Sequence, residues 1–526
     1  MGEEMTEVLT SAQMRGIEAR AIANGLVTGL ALMERAGRGV VEAILAQWPA
    51  FQTTAGHAVV LCGPGNNGGD GHVIARLLKA RGWEVTVFLL GRAERLPPDA
   101  AMQLRLWQQA GGAVLPLDES ACATVAAGSE VSLCIDALFG TGLSRPLDPA
   151  LCATLSALGE SPALAGARRV AVDLPSGLCA DSGRVLGRAG ACLPPLLSAD
   201  LTVTFHCAKP GHLLAEGPAH AGRLVVADIG LAPDPAPPVE VARRIGPPAP
   251  GRLAKLAGHK FDHGHALVLA GGPGQGGAAR LAARAALRIG AGLVTLACPP
   301  LALPENAARL DAVMLRPLAD AEGLTALLED RRITALCLGP ALGTTPREAA
   351  LLEAALADRR PTVLDADALT LLAQGPGLRA ALHGGCVLTP HDGEAARLFP
   401  DLAARRTEAA LHGPAFSKLD AARAAARQMG CVVLLKGADT VIADPAGRAA
   451  IHAAAGDQAT PWLATAGAGD VLAGLIAGLL ARGMAPFEAA CTGAWLHAAT
   501  ARDFGPGLIA EDLPEALPRV LRGLGV

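Results

Sequence analysis

The chain has no tyrosine, and aromatic residues fill only 3% of its 526 positions. With so few rings to stack on bases, a net charge of −4 and no basic stripe, nucleic acid is excluded as the main partner. Small molecules are the expected ligands. The twelve cysteines include no C-x-x-C pair, and Cys62, Cys134, Cys337 and Cys431 lie inside apolar runs. They are expected as small core residues in a reducing compartment, with no zinc site. Long hydrophobic runs are missing as well. Hydrophobic residues make up 51% of the chain, yet the longest run, Val471–Ala481, falls well short of the roughly 20 residues that a membrane span needs. It reads as a buried core helix, although a contact with a second copy in a homo-oligomer stays open. The opening Met1-Gly-Glu-Glu-Met-Thr-Glu7 is acidic and leads into no apolar stretch, so neither a secretory nor a transit leader is expected. The expected compartment is the cytoplasm, and no membrane partner is implied.

A chain of this length exceeds one ordinary core, so two domains are expected. The texture changes at a proline-dense stretch, residues 233–250. Proline can neither donate to a sheet ladder nor continue a helix, so this stretch reads as a linker between a domain at 1–232 and one at 251–526. Met14, Ile17, Ile22 and Leu26, then Leu30, Met33, Ala36, Val40 and Ile44, recur at helical spacing and predict two amphipathic helices. After them, His57–Cys62 predicts a strand, followed by a glycine loop and a helix. Further strands are expected at Val85–Leu90, Val131–Ile135, Val170–Val172, Leu201–Phe205 and Leu224–Ile229, with a helix at Pro98–Gln109. The second half repeats the theme, with strands at His265–Ala270, Leu293–Ala297, Ala335–Leu338, Thr362–Leu364, Val387–Leu388 and Val432–Leu435. Such alternation predicts an α/β fold, a mostly parallel sheet covered by helices in each half.

Both halves carry G-x-G-x-x-G, at Gly63, Gly65 and Gly68 and at Gly272, Gly274 and Gly277. A dinucleotide site is one reading, but neither half offers a clear acid for a ribose, and neither loop has the Lys-Ser/Thr of a P-loop. Asn66-Asn67-Gly68-Gly69-Asp70, the run from Asp136 through Gly140-Thr141-Gly142-Leu143-Ser144-Arg145-Pro146, and Asp173-Leu-Pro-Ser176-Gly each follow an apolar strand. Their polar ends should gather at the carboxyl edge of one sheet. Asn67, Asp136 and Ser176 would offer oxygen ligands to a hard cation, and Gly140–Pro146 would offer backbone donors to phosphate. In the second half, Gly467-Ala-Gly469-Asp470 runs straight into the apolar helix. Free N–H groups at a helix start and close backbone approach suit an anion. A plain N-cap aspartate fits the same residues. Around it stand Asp365-Ala-Asp367, Thr389-Pro-His391-Asp-Gly-Glu394 and Lys436-Gly437-Ala438-Asp439-Thr440.

The Gly63–Gly71 loop, the Asp136–Pro146 segment and Asp173–Gly177 resemble the NAD(P)H-hydrate epimerase domain, a Rossmann-like three-layer α/β/α fold. That resemblance implies substrate contacts at Asn66–Asp70, Gly140–Pro146 and Asp173, a potassium site at Asn67, Asp136 and Ser176, and Asp173 as the acid/base. The lysine that the family uses near its second strand has no match in Gly91-Arg-Ala-Glu-Arg-Leu96. The second-half motifs resemble the ADP- or ATP-dependent NAD(P)H-hydrate dehydratase branch of the ribokinase-like fold. There the resemblance implies nucleotide contacts at Lys436, Gly437, Ala438, Asp439, Thr440 and Gly469, and hydrate contacts at Ala278, Gly292, Ala341, His391 and Asp470. Magnesium is implied on the nucleotide, with Asp470 taking the hydroxyl proton.

Two positions depart from that pattern, Gly-Ala-Gly-Asp in place of Gly-Thr-Gly-Asp and Gly339-Pro-Ala-Leu-Gly343 in place of a third glycine. Neither removes a backbone donor. Together the resemblances cover nearly the whole chain and imply one that joins both activities. The alternative is a ribokinase-like small-molecule kinase whose N-terminal half only binds.

Overall fold

The computed structural model describes residues 5–187, 197–232, 238 and 240–526. The stretch 233–237, position 239 and residues 1–4 therefore lie outside the described residues, and with them part of the expected linker and most of the acidic opening. The chain divides into two compact units. One holds Glu7–Val241 and Glu408–Ser417, and the other holds Met1–Thr6, Ala242–Thr407 and Lys418–Val526.

The strands in chain order are β1 (Met5–Val8), β2 (His57–Cys62), β3 (Glu84–Leu89), β4 (Leu115–Pro116), β5 (Val131–Ala137), β6 (Arg168–Val172), β7 (Leu201–Phe205) and β8 (Arg223–Ala227). Then come β9 (Ala242–Ile245), β10 (His265–Leu269), β11 (Leu293–Cys298), β12 (Met314–Pro317), β13 (Ala335–Leu338), β14 (Thr362–Leu364), β15 (Cys386–Leu388), β16 (Val432–Leu435), β17 (Asp439–Ala443) and β18 (Ala449–Ala453). In the unit spanning Glu7–Val241 the sheet order is β4-β3-β2-β5-β6-β7-β8, and all its pairings are parallel. Every residue of β2 and β7 is buried, which explains the apolar run Ala58–Cys62 and a β7 whose only polar residues are threonines: helices cover both faces of a parallel sheet. The two expected N-terminal helices are present at Ser11–Ala23 and Gly29–Gln47. Leu26 lies between them and is 77% exposed, so the first apolar periodicity extends past the helix that carries it.

Chain order reverses between β2 and β5, which are neighbours although β3 and β4 intervene in sequence. At such a reversal the loops leaving the two strands diverge and open a crevice at the carboxyl edge. The Gly63–Gly71 loop and the segment after Asp136 are those two loops.

The second unit carries an eleven-stranded sheet ordered β1-β9-β18-β17-β16-β15-β14-β13-β10-β11-β12. The run β16 to β12 is parallel, whereas β17 is antiparallel to both its neighbours. The short hairpin Lys436–Ala438 causes that switch, since two to five residues can join only antiparallel strands. Here the reversal falls between β10 and β13. β9 comes from the proline-rich stretch; Ala242-Arg-Arg-Ile245 contains no proline, so its N–H groups are free to pair with β18.

Val471–Ala481 is buried at every position, as a core helix. It crosses the helix Gly276–Arg288 closely because Gly474 and Gly478 face Ala282 and Ala286; a methyl on Gly474 would overlap the Ala282 carbonyl. Cys62, Cys134, Cys337 and Cys431 are core residues, at most 3% exposed.

Candidate active sites

In the first unit, the crevice between the two diverging loops is a cavity of about 510 Å³ lined by Asn66, Asn67, Asp70, Gly140–Leu143 and Asp173, among others. Ser144, Arg145 and Pro146 run on from it, and Arg145 and Pro146 line an adjoining cavity of about 1230 Å³. Asp70 is one turn into the helix Asn66–Lys79, 8% exposed. Gly68 and Gly69 are packed tightly, since any Cβ at Gly68 would meet the Gly63 backbone.

Asp173 ends β6 with φ of 66°, a left-handed conformation costly for a residue with a Cβ. Its carboxylate is held on every side. Oδ2 accepts from the Thr141 N–H at 2.9 Å, and Oδ1 accepts from the Thr204 hydroxyl at 2.8 Å. The Lys209 ammonium stands 3.1 Å from Oδ1 and donates to Thr204 Oγ1 at 2.7 Å. His212 Nε2 lies 2.7 Å from the Asp173 carbonyl. Burial alone would push the carboxyl up, but Lys209, then His212, then the two hydrogen bonds hold it below the usual range.

Lys209 and His212 were not among the residues expected to matter. Lys209 is 1% exposed, and the available signal was a Lys-Pro-Gly-His run directly past the carboxyl end of β7.

Asp136 ends β5 and is 4% exposed. Oδ1 accepts from the Leu138 N–H and the Ser176 hydroxyl, and Oδ2 from the Ser176 N–H at 2.8 Å. No cationic side chain pairs with it among the described residues, and burial pushes it above the usual carboxylate range. Asn67 stands beside Gly140, as Asp173 does, and its Nδ2 is buried without a partner.

In the second unit the reversal point is a cavity of about 420 Å³ lined by Gly274, Gln275, Gly277, Ala278, Ala341, Gly343 and Asp367. Ala341 has φ of 47°. Asp367 Oδ2 accepts from the Gly343 N–H at 2.9 Å.

Asp470 lies in the first turn of the helix Ala468–Ala481, whose N-cap Gly467 has φ of 89°. Burial, then the charge of Asp365, push Asp470 up to about 6; Lys436 opposes this, while Asp367 and Glu394 add to it. Lys436 Nζ is 2.7 Å from Asp365 Oδ1 and 3.8 Å from Glu394 Oε2, and a Cβ on Gly469 would sit 3.3 Å from that Nζ. Lys436 and Gly469 are thus neighbours. Gly437, Ala438, Asp439 and Thr440 continue the hairpin, where Lys418 Nζ fixes the turn through the Lys436 carbonyl at 3.0 Å and Asp439 Oδ1 at 2.7 Å. Thr440 Oγ1 donates to the Gly437 carbonyl at 2.8 Å.

His391 caps the helix Asp392–Leu398, its Nδ1 accepting from the Gly393 N–H at 3.0 Å. Its Nε2 lies 3.4 Å from Glu394, beside Lys436. Gly292 is elsewhere: it precedes β11, its N–H bonded to the Gly264 carbonyl at the amino end of the parallel strands. The other residues described here belong to the carboxyl edge.

Residues 29–211 match the family model described as YjeF-related protein N-terminus, and residues 266–519 match that of NAD(P)H-hydrate dehydratase. A bifunctional NAD(P)H-hydrate repair enzyme of Moorella thermoacetica is 38% identical, over 98% of this chain and 97% of its own. That of Coxiella burnetii is 35% identical over 97% and 98%. Among solved structures, the ADP/ATP-dependent NAD(P)H-hydrate dehydratase of Bacillus subtilis, co-crystallised with ATP and Mg2+, is 26% identical. It covers 52% of this chain and 93% of its own, with a TM-score of 0.41.

Proposed function

The chain belongs to the family of bifunctional NAD(P)H-hydrate repair enzymes, and on that premise we propose how its two carboxyl-edge clefts divide the work. The first interconverts the R and S hydrates of NADH and NADPH. The second dehydrates the S form to the dihydronicotinamide, with ADP as the phosphoryl donor. The match of both halves to this family does not favour the small-molecule kinase with a silent N-terminal half.

The observation that carries the assignment is one aspartate at each cleft, Asp173 against the Lys209 ammonium and Asp470 in the first turn of its helix near Lys436, shifted in opposite directions. Asp173 is kept ionised by Lys209, His212 and two hydrogen bonds, ready to take a proton from water at the hydroxyl-bearing carbon. Epimerisation needs that carbon to lose and regain its hydroxyl, which is proton transfer without redox. Within Gly140–Pro146, Gly142 and Ser144 offer backbone N–H groups, and Arg145 its guanidinium, to the substrate's phosphates.

Asp470, pushed up to about 6, is a base matched to neutral pH. Hydroxide is a poor leaving group, so Asp470 takes the hydroxyl proton while the hydroxyl oxygen attacks the terminal phosphoryl. Phosphate then leaves C6 as the ring nitrogen's lone pair forms C6=N1, and loss of a proton from C5 to solvent moves that bond into the ring as C5=C6 and returns the pair to nitrogen. Gly469 and the helix start offer N–H groups to the charge that develops, and Lys436 offers its ammonium. Ala278, Ala341 and His391 line the hydrate's approach.

The residues around Asp136 fit potassium. Asn67, Asp136 and Ser176 supply only oxygens, as a hard monovalent ion requires, and the buried carboxylate has no cationic partner. Bound there, potassium would neutralise Asp136 and fix the loop that carries Gly140. The second cleft sets the carboxylates of Asp365, Asp367, Glu394 and Asp470 against one ammonium, so a diphosphate fits only with added positive charge, which magnesium on the nucleotide would supply. No helix among the described residues is long and apolar enough to cross a membrane; the cytoplasm is the proposed compartment.

Chromatographic separation of the two epimers tests the first activity. Pure R hydrate with the full chain, potassium and no nucleotide should equilibrate with S faster than in buffer, and Asp173→Asn should return it to the buffer rate. Acceleration that survives that substitution would refute the assignment.

A further inference from the structure

Asp173 can serve one face of the reacting carbon; a hydroxyl leaving from the other face needs a proton donor of its own. The cavity supplies candidates that neither family match assigns to that task. The helix Ser11–Ala23 precedes residue 29, where the first match begins, and it brings Arg15 and Glu18 to the wall of the cavity that Asp173 lines. That helix is firmly held. Thr10 closes a capping box with Gln13, and both the N–H and the hydroxyl of Ser11 donate to Asp181 Oδ1. The Leu9 N–H donates to the Ala208 carbonyl, next to Lys209, and Arg15 reaches the Thr141 carbonyl at 3.4 Å. The same Thr141 donates its N–H to Asp173, so Glu18 is fixed relative to the base.

Resting on the epimerase reading above, we propose that Glu18 is a catalytic residue, the proton donor to the departing hydroxyl. In the first step the Glu18 proton passes to the hydroxyl oxygen, the C6–O bond breaks and water leaves. The ring nitrogen's lone pair forms the C6=N1 bond. In the second, water adds to C6 from the opposite face, the π pair returns to nitrogen and Asp173 takes the water's proton. Glu18 is recharged and Asp173 discharged through solvent, and the reverse reaction exchanges their roles.

The charged groups facing Glu18 are Arg15 on its own helix, Asp70 from the helix Asn66–Lys79, Asp99 from the helix Pro98–Gln109, Asp173 and Lys209. Burial raises Glu18, with Lys209 opposing and Asp173 reinforcing, while Asp173 is lowered; carboxyls driven apart in this way suit an acid and its base. Asp70 is raised too and lines the same cavity, so the Asp70→Asn variant decides between the two carboxyls.

The test measures R-to-S epimerisation by the full chain against pH, for wild type, Glu18→Gln, Glu18→Asp and Asp70→Asn, with dehydration of pure S hydrate as the folding control. Glu18→Gln should lower epimerase kcat by about 10²–10⁴-fold, leave KM within about threefold, remove the high-pH fall of the profile and spare dehydration. Glu18→Asp should restore part of kcat and that fall. An unchanged rate and profile in Glu18→Gln would overturn the proposal, as would a loss confined to KM, or a high-pH fall abolished by Asp70→Asn and kept in Glu18→Gln. A wild type that accelerates nothing, or one indifferent to Asp173→Asn, would instead remove the epimerase reading itself.

Discussion

Replacing Lys209 by methionine deletes a buried charge while keeping nearly the same side-chain volume, so its consequences are electrostatic. The ammonium donates to Thr204 Oγ1 and to the Phe205 carbonyl at 3.1 Å and stands 3.1 Å from Asp173. Removing one partner of a buried pair leaves the other uncompensated and costs about 3–5 kcal/mol. For a unit of this size, where 1 kcal/mol moves the midpoint by roughly 2–4 °C, the melting transition should fall by about 6–20 °C.

The pH signature is sharper. Asp173 sits below its unfolded value, so it contributes stability that is present above the unfolded pKa and lost as pH falls through the folded one. In Lys209→Met that contribution shrinks, because burial is then opposed only by His212 and the two hydrogen bonds; the carboxyl rises and the acid limb of epimerase activity moves to higher pH. Differential scanning calorimetry of the full chain should show one transition lowered and the other unmoved, with S-hydrate dehydration intact. The double variant with Asp173→Asn should regain part of the lost stability, because no unpaired charge remains. A lowered transition with an unshifted acid limb would refute the claim that Lys209 sets the ionisation of Asp173.

Three other outcomes are expected. Asp470→Asn should lower dehydratase kcat by at least about 10²-fold. Because Asp470 is raised from 3.8 to about 6, the stability its neutral form contributes is whole below the unfolded value and lost as pH rises through the folded one, so by scanning calorimetry the asparagine variant should melt higher at pH 8 and approach wild type as pH falls below the unfolded value. Gly474→Ala forces a methyl into the Ala282 backbone and should destabilise the second unit by about 1–3 kcal/mol in urea titrations, leaving epimerisation unaffected. Epimerase activity should rise with potassium chloride and not with choline chloride, and Asp136→Asn should abolish the difference.

The sheets were legible because their strands are buried on both faces: His57–Cys62 is apolar after its first residue, Leu201–Phe205 is broken only by threonines, and both are bounded as the sequence suggests. β17 and β18 were harder to see, since Asp439–Ala443 is short and opens on a charge, Ala449–Ala453 is short and alanine-rich, and the two are set antiparallel by a hairpin rather than by a crossover. β4 and β12 carry proline, which demotes a sequence run to a non-strand although it is tolerated at the sheet edges these two occupy.

For the sites, strand ends rich in glycine and acid marked Asp136 and Asp173, because the reversal points of parallel sheets collect such loops, and a glycine-rich turn running into an apolar helix marked Asp470. Lys209 escaped because a lone lysine beyond a strand reads as solvated, and only packing reveals it as 1% exposed against a carboxylate. Glu18 escaped because helical periodicity reports the apolar face of Ser11–Ala23, whereas its polar face borders the cavity.

The most direct measurement follows dihydronicotinamide absorbance after the full chain meets a mixture of both NADH-hydrate epimers, with ADP, with ATP and with no nucleotide. Full recovery of NADH with ADP, none without nucleotide, and recovery of only the S portion by Asp173→Asn beyond the spontaneous rate is the predicted result. No recovery with either nucleotide, or the same full recovery by Asp173→Asn, would contradict the division of repair between the two clefts.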